Sequence, residues 1–182
     1  MIAGALSQLI AAVEARGVTV VFETAPQDDW RYVGIFRANA IILYSIDDPL
    51  LALFTVAHLF GHLCQRATQD AQRIAVSQYV GSGRQLVQRE LEEITAYEHE
   101  AAQIGRALLA ETLHVTPALD VEYARLFFAD AAYLMHFLKT GERGPELFER
   151  FLAAQPRGPL IAADARLLRR SFDVVHPDIV VV

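Results

Sequence analysis

Two histidines in one apolar segment are the residues of this chain best suited to chemistry. His58 and His62 stand four residues apart within Phe54-Thr-Val-Ala-His-Leu-Phe-Gly-His-Leu63. On an α-helix this spacing puts the two imidazoles on one face, about 40° apart, so both can reach one metal ion. The spacing alone does not establish a metal site. A chain of this length with six histidines is expected to contain about 0.2 such pairs by chance. Hydrogen bonds, without a metal, can also satisfy both rings.

The sequence around the pair favours a metal. Residues 49–66 are apolar on almost every side, which is typical of a helix buried at the centre of a domain. A buried imidazole needs a polar partner, and a shared metal ion supplies one to both rings at once. Gly61 costs about 1 kcal/mol inside a helix relative to alanine. It therefore predicts either the close approach of a strand or ligand, or tight packing of the helix on a sheet.

A zinc site needs a third protein ligand, and a later acidic run supplies candidates. These are Glu90, Glu92, Glu93, Glu98 and Glu100. The apolar stripe of the helix predicted there includes Ile94, Ala101 and Leu108. Glu98 and Glu100 each lie about 80° from that stripe, on opposite flanks, so periodicity leaves both open. At least three of the five acids are expected on a solvated face.

The elements that must position these side chains follow from periodicity and capping residues. Up to the histidine pair they are a helix, a strand, a hairpin and the histidine helix, at residues 1–16, 18–22, 31–44 and 49–66. Asp47 or Asp48 can cap the histidine helix, with Pro49 in its first turn, where a missing N–H costs nothing.

Helices dominate the rest of the chain. Residues 67–83 are polar and predict a loop, at most with a short helix. Helices are predicted at 84–113, 118–139, 145–154 and 160–170, and the tail 173–182 is either a last strand or a docking segment. This order predicts an α+β fold with a small, mostly antiparallel sheet packed on helices.

Composition excludes some classes of function. The longest apolar run, at 49–63, has 15 residues, fewer than the 18 or more of a membrane span. The net charge of −6 argues against direct nucleic-acid binding. The single cysteine, Cys64, cannot form an internal disulfide and indicates a cytoplasmic location. The hydrophobic fraction of 53% is high, which predicts apolar surface reserved for a partner.

Two motifs resemble those of a known family. The segment 54–63 resembles the F-T-x-A-H-E-x-G-H-x helix of the ImmA/IrrE-like zinc metallopeptidases. Glu98-His-Glu-Ala-Ala-Gln-Ile-Gly-Arg-Ala-Leu-Leu109 resembles their second motif, E-x-E-A-[N/D]-x-F-A-x-x-L-L. The resemblance covers about 1–112, and members of the family are small cytoplasmic proteins that act on helix-turn-helix repressors. It implies a zincin-like metallopeptidase core at 1–115, with the helical extension 116–182 packed on it as one globular unit. It also implies one zinc ion held by His58, His62 and Glu98.

Two departures from the family pattern bear on catalysis. Leu59 replaces the glutamate that activates the metal-bound water, and Ala102 replaces an Asn or Asp expected to support a ligand histidine. The resulting prediction is a non-hydrolytic, regulatory protein that binds a protein partner, either a helix-turn-helix repressor or a second copy of itself. The alternatives are an active zinc endopeptidase with an unconventional base (Glu93, His99 or Glu100) and a helical structural protein that binds no metal.

Overall fold

The protein is described by a computed structural model that covers residues 2–24, 33–44, 46–80, 84–155 and 159–168. Over these residues it has an α+β fold, with six helices and one three-stranded sheet, which confirms the predicted fold class. The elements are α1 (Ile2–Glu14), β1 (Thr19–Glu23), β2 (Gly34–Arg37), β3 (Ala40–Tyr44), α2 (Pro49–Ala67), α3 (Ala71–Val80), α4 (Gln88–Thr112), α5 (Pro117–Thr140) and α6 (Pro145–Ala154).

The sheet has β3 at its centre and mixed strand directions. The predicted hairpin is present, since β2 pairs antiparallel with β3 and places Ile35 opposite Ile42. On the other edge, β1 pairs parallel with β3, with Val20 opposite Ile41. One of the two pairings is therefore antiparallel, because only the hairpin strands are joined by a tight turn.

Helix α2 is the central element that the sequence predicts. The side chain of Asp48 caps it, accepting a hydrogen bond from the Leu50 N–H at 2.8 Å, and Pro49 follows in the first turn. Thirteen of its nineteen residues are buried, where α2 packs against α1, the sheet, α4 and α5. None of the described helices is both long and apolar enough to span a membrane.

Two glycines allow α2 and α4 to touch backbone to backbone. A Cβ on Gly61 would lie 2.1 Å from the Ala101 carbonyl oxygen, and a Cβ on Gly105 would lie 2.5 Å from the Ala57 carbonyl oxygen. Gly61 thus faces a second helix, and the predicted strand, ligand or sheet contact is wrong. The same contact fixes Glu98, which lies three residues before Ala101, beside the histidines.

Helix α5 runs along both of these helices. Its Tyr123 hydroxyl donates to the Ala102 carbonyl of α4 at 2.9 Å, and its ring lies 5.4 Å from that of Phe54 in α2. One turn later the Phe127 ring lies 6.1 Å from the His58 ring and 5.6 Å from the His99 ring. The predicted helices at 118–139 and 145–154 correspond to α5 and α6.

Three sequence predictions concern the segments outside these elements. The segment 67–83, predicted as a loop with at most a short helix, contains the ten-residue helix α3. Residues 159–168 form a turn at 166–168 but no helix, so the helix predicted at 160–170 is wrong over that range. The Asp164 carboxylate accepts from the Arg166 N–H at 2.9 Å, a local bond that competes with helix formation. The tail 173–182 lies outside the described residues.

Candidate metal centre

Three buried side chains converge between α2 and α4. The Glu98 carboxylate oxygen Oε2 lies 3.0 Å from His58 Nε2 and 3.1 Å from His62 Nε2, and the two Nε2 atoms are 3.1 Å apart. The three residues are 4%, 6% and 8% exposed, in the order His58, His62, Glu98. The structure therefore brings together the same three residues that the resemblance implies as ligands.

Glu100, which periodicity left open as a ligand, has other partners. Its carboxylate accepts from Arg73 Nη2 at 2.7 Å and from Arg73 Nε at 2.9 Å. It also accepts from Gln65 Nε2 at 2.8 Å. Arg73 belongs to α3, so the short helix in the segment 67–83 holds Glu100 away from the histidines.

The three converging atoms fit a single zinc ion. A tetrahedral zinc with bonds of about 2.0–2.1 Å separates its ligand atoms by about 3.3 Å, close to the 3.0–3.1 Å found between these three. Two histidines and one glutamate are also a ligand set that zinc takes in proteins. His58, His62 and Glu98 would hold the ion. Zinc commonly takes four ligands, so these three residues leave one ligand position that they do not fill.

Gln65 sets the orientation of His62. Its Nε2 donates to the Tyr97 carbonyl at 2.8 Å as well as to Glu100, so its Oε1 faces His62 Nδ1 at 2.9 Å. His62 therefore carries its proton on Nδ1 and presents Nε2 toward Glu98, which is how a zinc-binding histidine is usually held. Sequence reasoning missed Gln65, although a lone amide three residues after His62 in an apolar helix was a visible signal.

The centre holds opposite charges when no metal balances them. Burial alone would raise the pKa of Glu98, but the two histidines outweigh burial and hold that pKa well below its usual range. Burial alone would lower the pKa of His62, but the charge and hydrogen bond of Glu98 outweigh burial and raise it. His62 and Glu98 thus form a buried pair that retains a proton.

Aromatic rings enclose both imidazoles. His62 stacks on the rings of Tyr97 and Phe36, at centroid distances of 5.0 and 6.0 Å. His58 stacks on Phe54 at 5.5 Å, and Phe127 of α5 lies against it. The rings come from β2, α2, α4 and α5, so these four elements form the walls of the site.

The side chains considered as substitute bases contact other groups. Glu93 pairs with Arg89 at 2.9 Å, and His99 lies edge-on to Phe127. Glu100 is paired with Arg73, as described above. Leu59, which stands where the family has its catalytic glutamate, is half-buried against the apolar core.

An acid on α5 was missed by sequence reasoning. Asp130 is partly buried, and burial raises its pKa to about 6, with the negative charge of Glu98 adding to the effect and the two histidines opposing it. Asp130 therefore lies within electrostatic range of all three candidate ligands. It is the one charged residue between Leu126 and Met135, and that isolation in an apolar stretch was the available signal.

The comparisons with known proteins assign no family to this chain. No family model matches it, and neither the curated proteins nor the solved structures include a significant match. The similarity to the ImmA/IrrE-like family rests on the motif residues alone, so the role implied by that family stays a prediction.

Proposed function

We propose that this protein binds one zinc ion through His58, His62 and Glu98 and acts without hydrolysing peptide bonds. The convergence of three buried ligand atoms within 3.1 Å of one another supports zinc binding most directly. The hydrogen bond from His62 Nδ1 to Gln65 adds to it, because it directs Nε2 toward the same point.

Two features support a non-hydrolytic role. When bound, zinc supplies a Lewis-acidic centre, but peptide hydrolysis also needs a base that accepts a proton, worth about 10²–10⁴-fold in rate. Leu59 offers only methyl groups at the position of that base in the resembled family. The aromatic walls and the low exposure of all three ligands also restrict the access of a peptide to the ion, although two histidines and a glutamate are a ligand set of catalytic sites.

The proposed biological role is regulatory binding of another protein. It rests on the resemblance, because the family recognises helix-turn-helix repressors, and a fold that loses catalysis can keep the surface that recognised its substrate. A second copy of the chain is the simplest alternative partner, since most soluble oligomers are homo-oligomers.

Zinc analysis of protein purified without chelator tests the metal site. The wild type is expected to carry close to one zinc per chain, and His58→Ala and Glu98→Gln to carry little, because each loses a ligand. His136→Ala is the matched control, since His136 pairs with Glu142 outside the centre and its loss leaves zinc unchanged. Folded wild type that takes up no zinc, even after zinc addition, would contradict the proposal.

A cleavage assay tests the absence of hydrolysis. The zinc-loaded protein is incubated with casein and with helix-turn-helix repressors, and we expect no cleavage above the protein-free background. Cleavage that a chelator stops and that His62→Ala lacks would show that the protein is a peptidase. The two experiments are independent, because zinc binding stands whichever way the cleavage assay turns out.

A further inference from the structure

One face of α5 carries three residues that follow one another from the core toward the metal centre. Tyr123, Phe127 and Asp130 are spaced at i, i+4 and i+7, which places them on the same face of the helix. Tyr123 contacts Phe54 and Phe127 contacts His58, so this face advances along α2 toward the histidines. Asp130 comes next on that path.

Helix α5 also runs along α4. Tyr123 hydrogen-bonds to Ala102 and Phe127 contacts His99, and Met135, on another flank of α5, accepts from the Thr95 hydroxyl at 3.5 Å. Asp130 falls between the second and third of these contacts, beside the turn of α4 that carries Glu98. Helix periodicity and these neighbouring contacts therefore put Asp130 on the side of α5 that faces the centre, within electrostatic range of its three residues.

The two imidazoles of the centre differ in the hydrogen bond that the Nδ1 atom makes. His62 Nδ1 is bonded to Gln65, whereas His58 Nδ1 is buried and has no hydrogen-bond partner among the described residues. Zinc-binding histidines almost always donate the second ring N–H to a carboxylate, carbonyl or water. His58 thus lacks the acceptor that a zinc ligand requires.

Charge gives a second reason to look for an acid. Two neutral imidazoles and the Glu98 carboxylate around a divalent cation leave a net charge of about +1 in a buried site. An unbalanced buried charge is costly, and one further carboxylate brings the net charge to zero.

We propose that Asp130 is this further carboxylate: it balances the charge of the bound zinc, and it acts on His58 through its charge, since no hydrogen bond joins the two residues in the structure. The inference rests on the proposed zinc site and adds a residue from the C-terminal helices to it. Without zinc the same carboxylate is a poorly solvated acid: burial is the main cause that raises its pKa to about 6, the charge of Glu98 adds to the effect, and the two histidines oppose it. At pH 8 it is therefore ionised in an unfavourable place. Asp130 should therefore favour the zinc-bound protein and disfavour the metal-free protein.

The variant Asp130→Asn tests both expected effects, the one on the zinc-bound protein and the one on the metal-free protein. The control is Glu122→Gln, which removes the same charge from a partly exposed position of α5, where Glu122 pairs with Arg125. At pH 8, zinc affinity measured by competition with a chromophoric chelator is expected to fall about 10–100-fold in Asp130→Asn. The melting temperature of the metal-free variant should rise by about 2–6 °C. Glu122→Gln should change neither quantity, and Asp130→Glu should recover part of the zinc affinity.

Each other outcome overturns the inference. Equal zinc affinity in Asp130→Asn and the wild type would remove Asp130 from the site and leave the zinc proposal standing. A variant that loses both affinity and metal-free stability, or that does not fold, would show a merely structural role. No zinc binding by the wild type would overturn both this inference and the proposed function.

Discussion

At the scale of single residues, the proton shared by His62 and Glu98 governs the centre in the absence of metal. Because the folded-state pKa of His62 is raised, its contribution to stability is fully present below about pH 6.5 and is lost as the pH rises through the raised pKa. The depressed pKa of Glu98 works in the opposite direction: its contribution is present above about pH 4.5 and is lost only in stronger acid. The metal-free pair therefore stabilises the fold most in the window between those two pH values.

Zinc must displace that proton, since a ligand histidine is neutral. Below pH 6.5, and so below the raised pKa of His62, we expect zinc binding to release a proton and affinity to rise by up to about tenfold per pH unit. Titration calorimetry at pH 6 in two buffers with different ionisation enthalpies measures the release directly. Binding heats that do not depend on the buffer would show that the centre is already deprotonated.

The residues of the centre could be predicted only in part. The four-residue spacing is enough to place His58 and His62 on one face, but angle alone could not separate Glu98 from Glu100. What separates them is Arg73 of α3, which binds Glu100 through a contact that the periodicity of α4 does not contain. Gln65 and Asp130 matter through neighbours distant in sequence, and no local pattern encodes those contacts.

At the scale of elements, the centre depends on how closely α2 and α4 approach. Ala57, Gly61, Ala101 and Gly105 form a backbone contact in which each helix presents a small residue to a carbonyl of the other. Gly61 signalled a close approach, but its own sequence context could not say which element approached. The partner glycine is forty-four residues further on.

Gly61→Ala is expected to destabilise the fold and weaken zinc binding together. Alanine gains about 1 kcal/mol of helix propensity, but its Cβ would lie 2.1 Å from the Ala101 carbonyl oxygen, and such overpacking costs about 1–3 kcal/mol or more. The helices must separate, which moves Glu98 from the histidines. Thermal melting and chelator competition measure the two effects.

Gly4→Ala is the matched control, because Gly4 lies in α1 and a Cβ there meets nothing within 4 Å. It should leave zinc affinity unchanged and raise the free energy of unfolding by up to about 1 kcal/mol. An unchanged or higher melting temperature in Gly61→Ala would mean that the contact between α2 and α4 accommodates a Cβ at position 61.

At the scale of the whole molecule, the centre joins parts of the chain that are far apart in sequence. Its candidate ligands come from α2 and α4, Phe127 of α5 lies against His58, and Asp130 of α5 is within electrostatic range. Helix α5 belongs to the predicted extension 116–182, so the boundary drawn at residue 115 passes beside the site. Amphipathic periodicity predicted α5 itself, but could not show that its inner face meets the histidines.

Zinc should therefore stabilise the molecule as one unit. At a free zinc concentration one hundred times the Kd, the free energy of unfolding is expected to rise by about 2.7 kcal/mol, which is about 5–10 °C in Tm for a chain of this length. Scanning calorimetry should show one transition that moves as a whole, and His58→Ala should show no zinc-dependent shift. Two transitions, of which only one responds to zinc, would mean that the extension unfolds separately.

The backbone contact between α2 and α4 also defines how relatives of this protein can be recognised. A chain that builds the same centre must keep a small residue before its first histidine and a glycine before its second, in the pattern small-His-x-x-Gly-His. On a later helix it must keep Glu-x-x-small-x-x-x-Gly, because Glu98, Ala101 and Gly105 face the same contact. The residue at position 59 is outside this requirement. Sequences selected by the paired pattern would therefore be free to vary at position 59, whether they carry leucine, as this chain does, or another side chain.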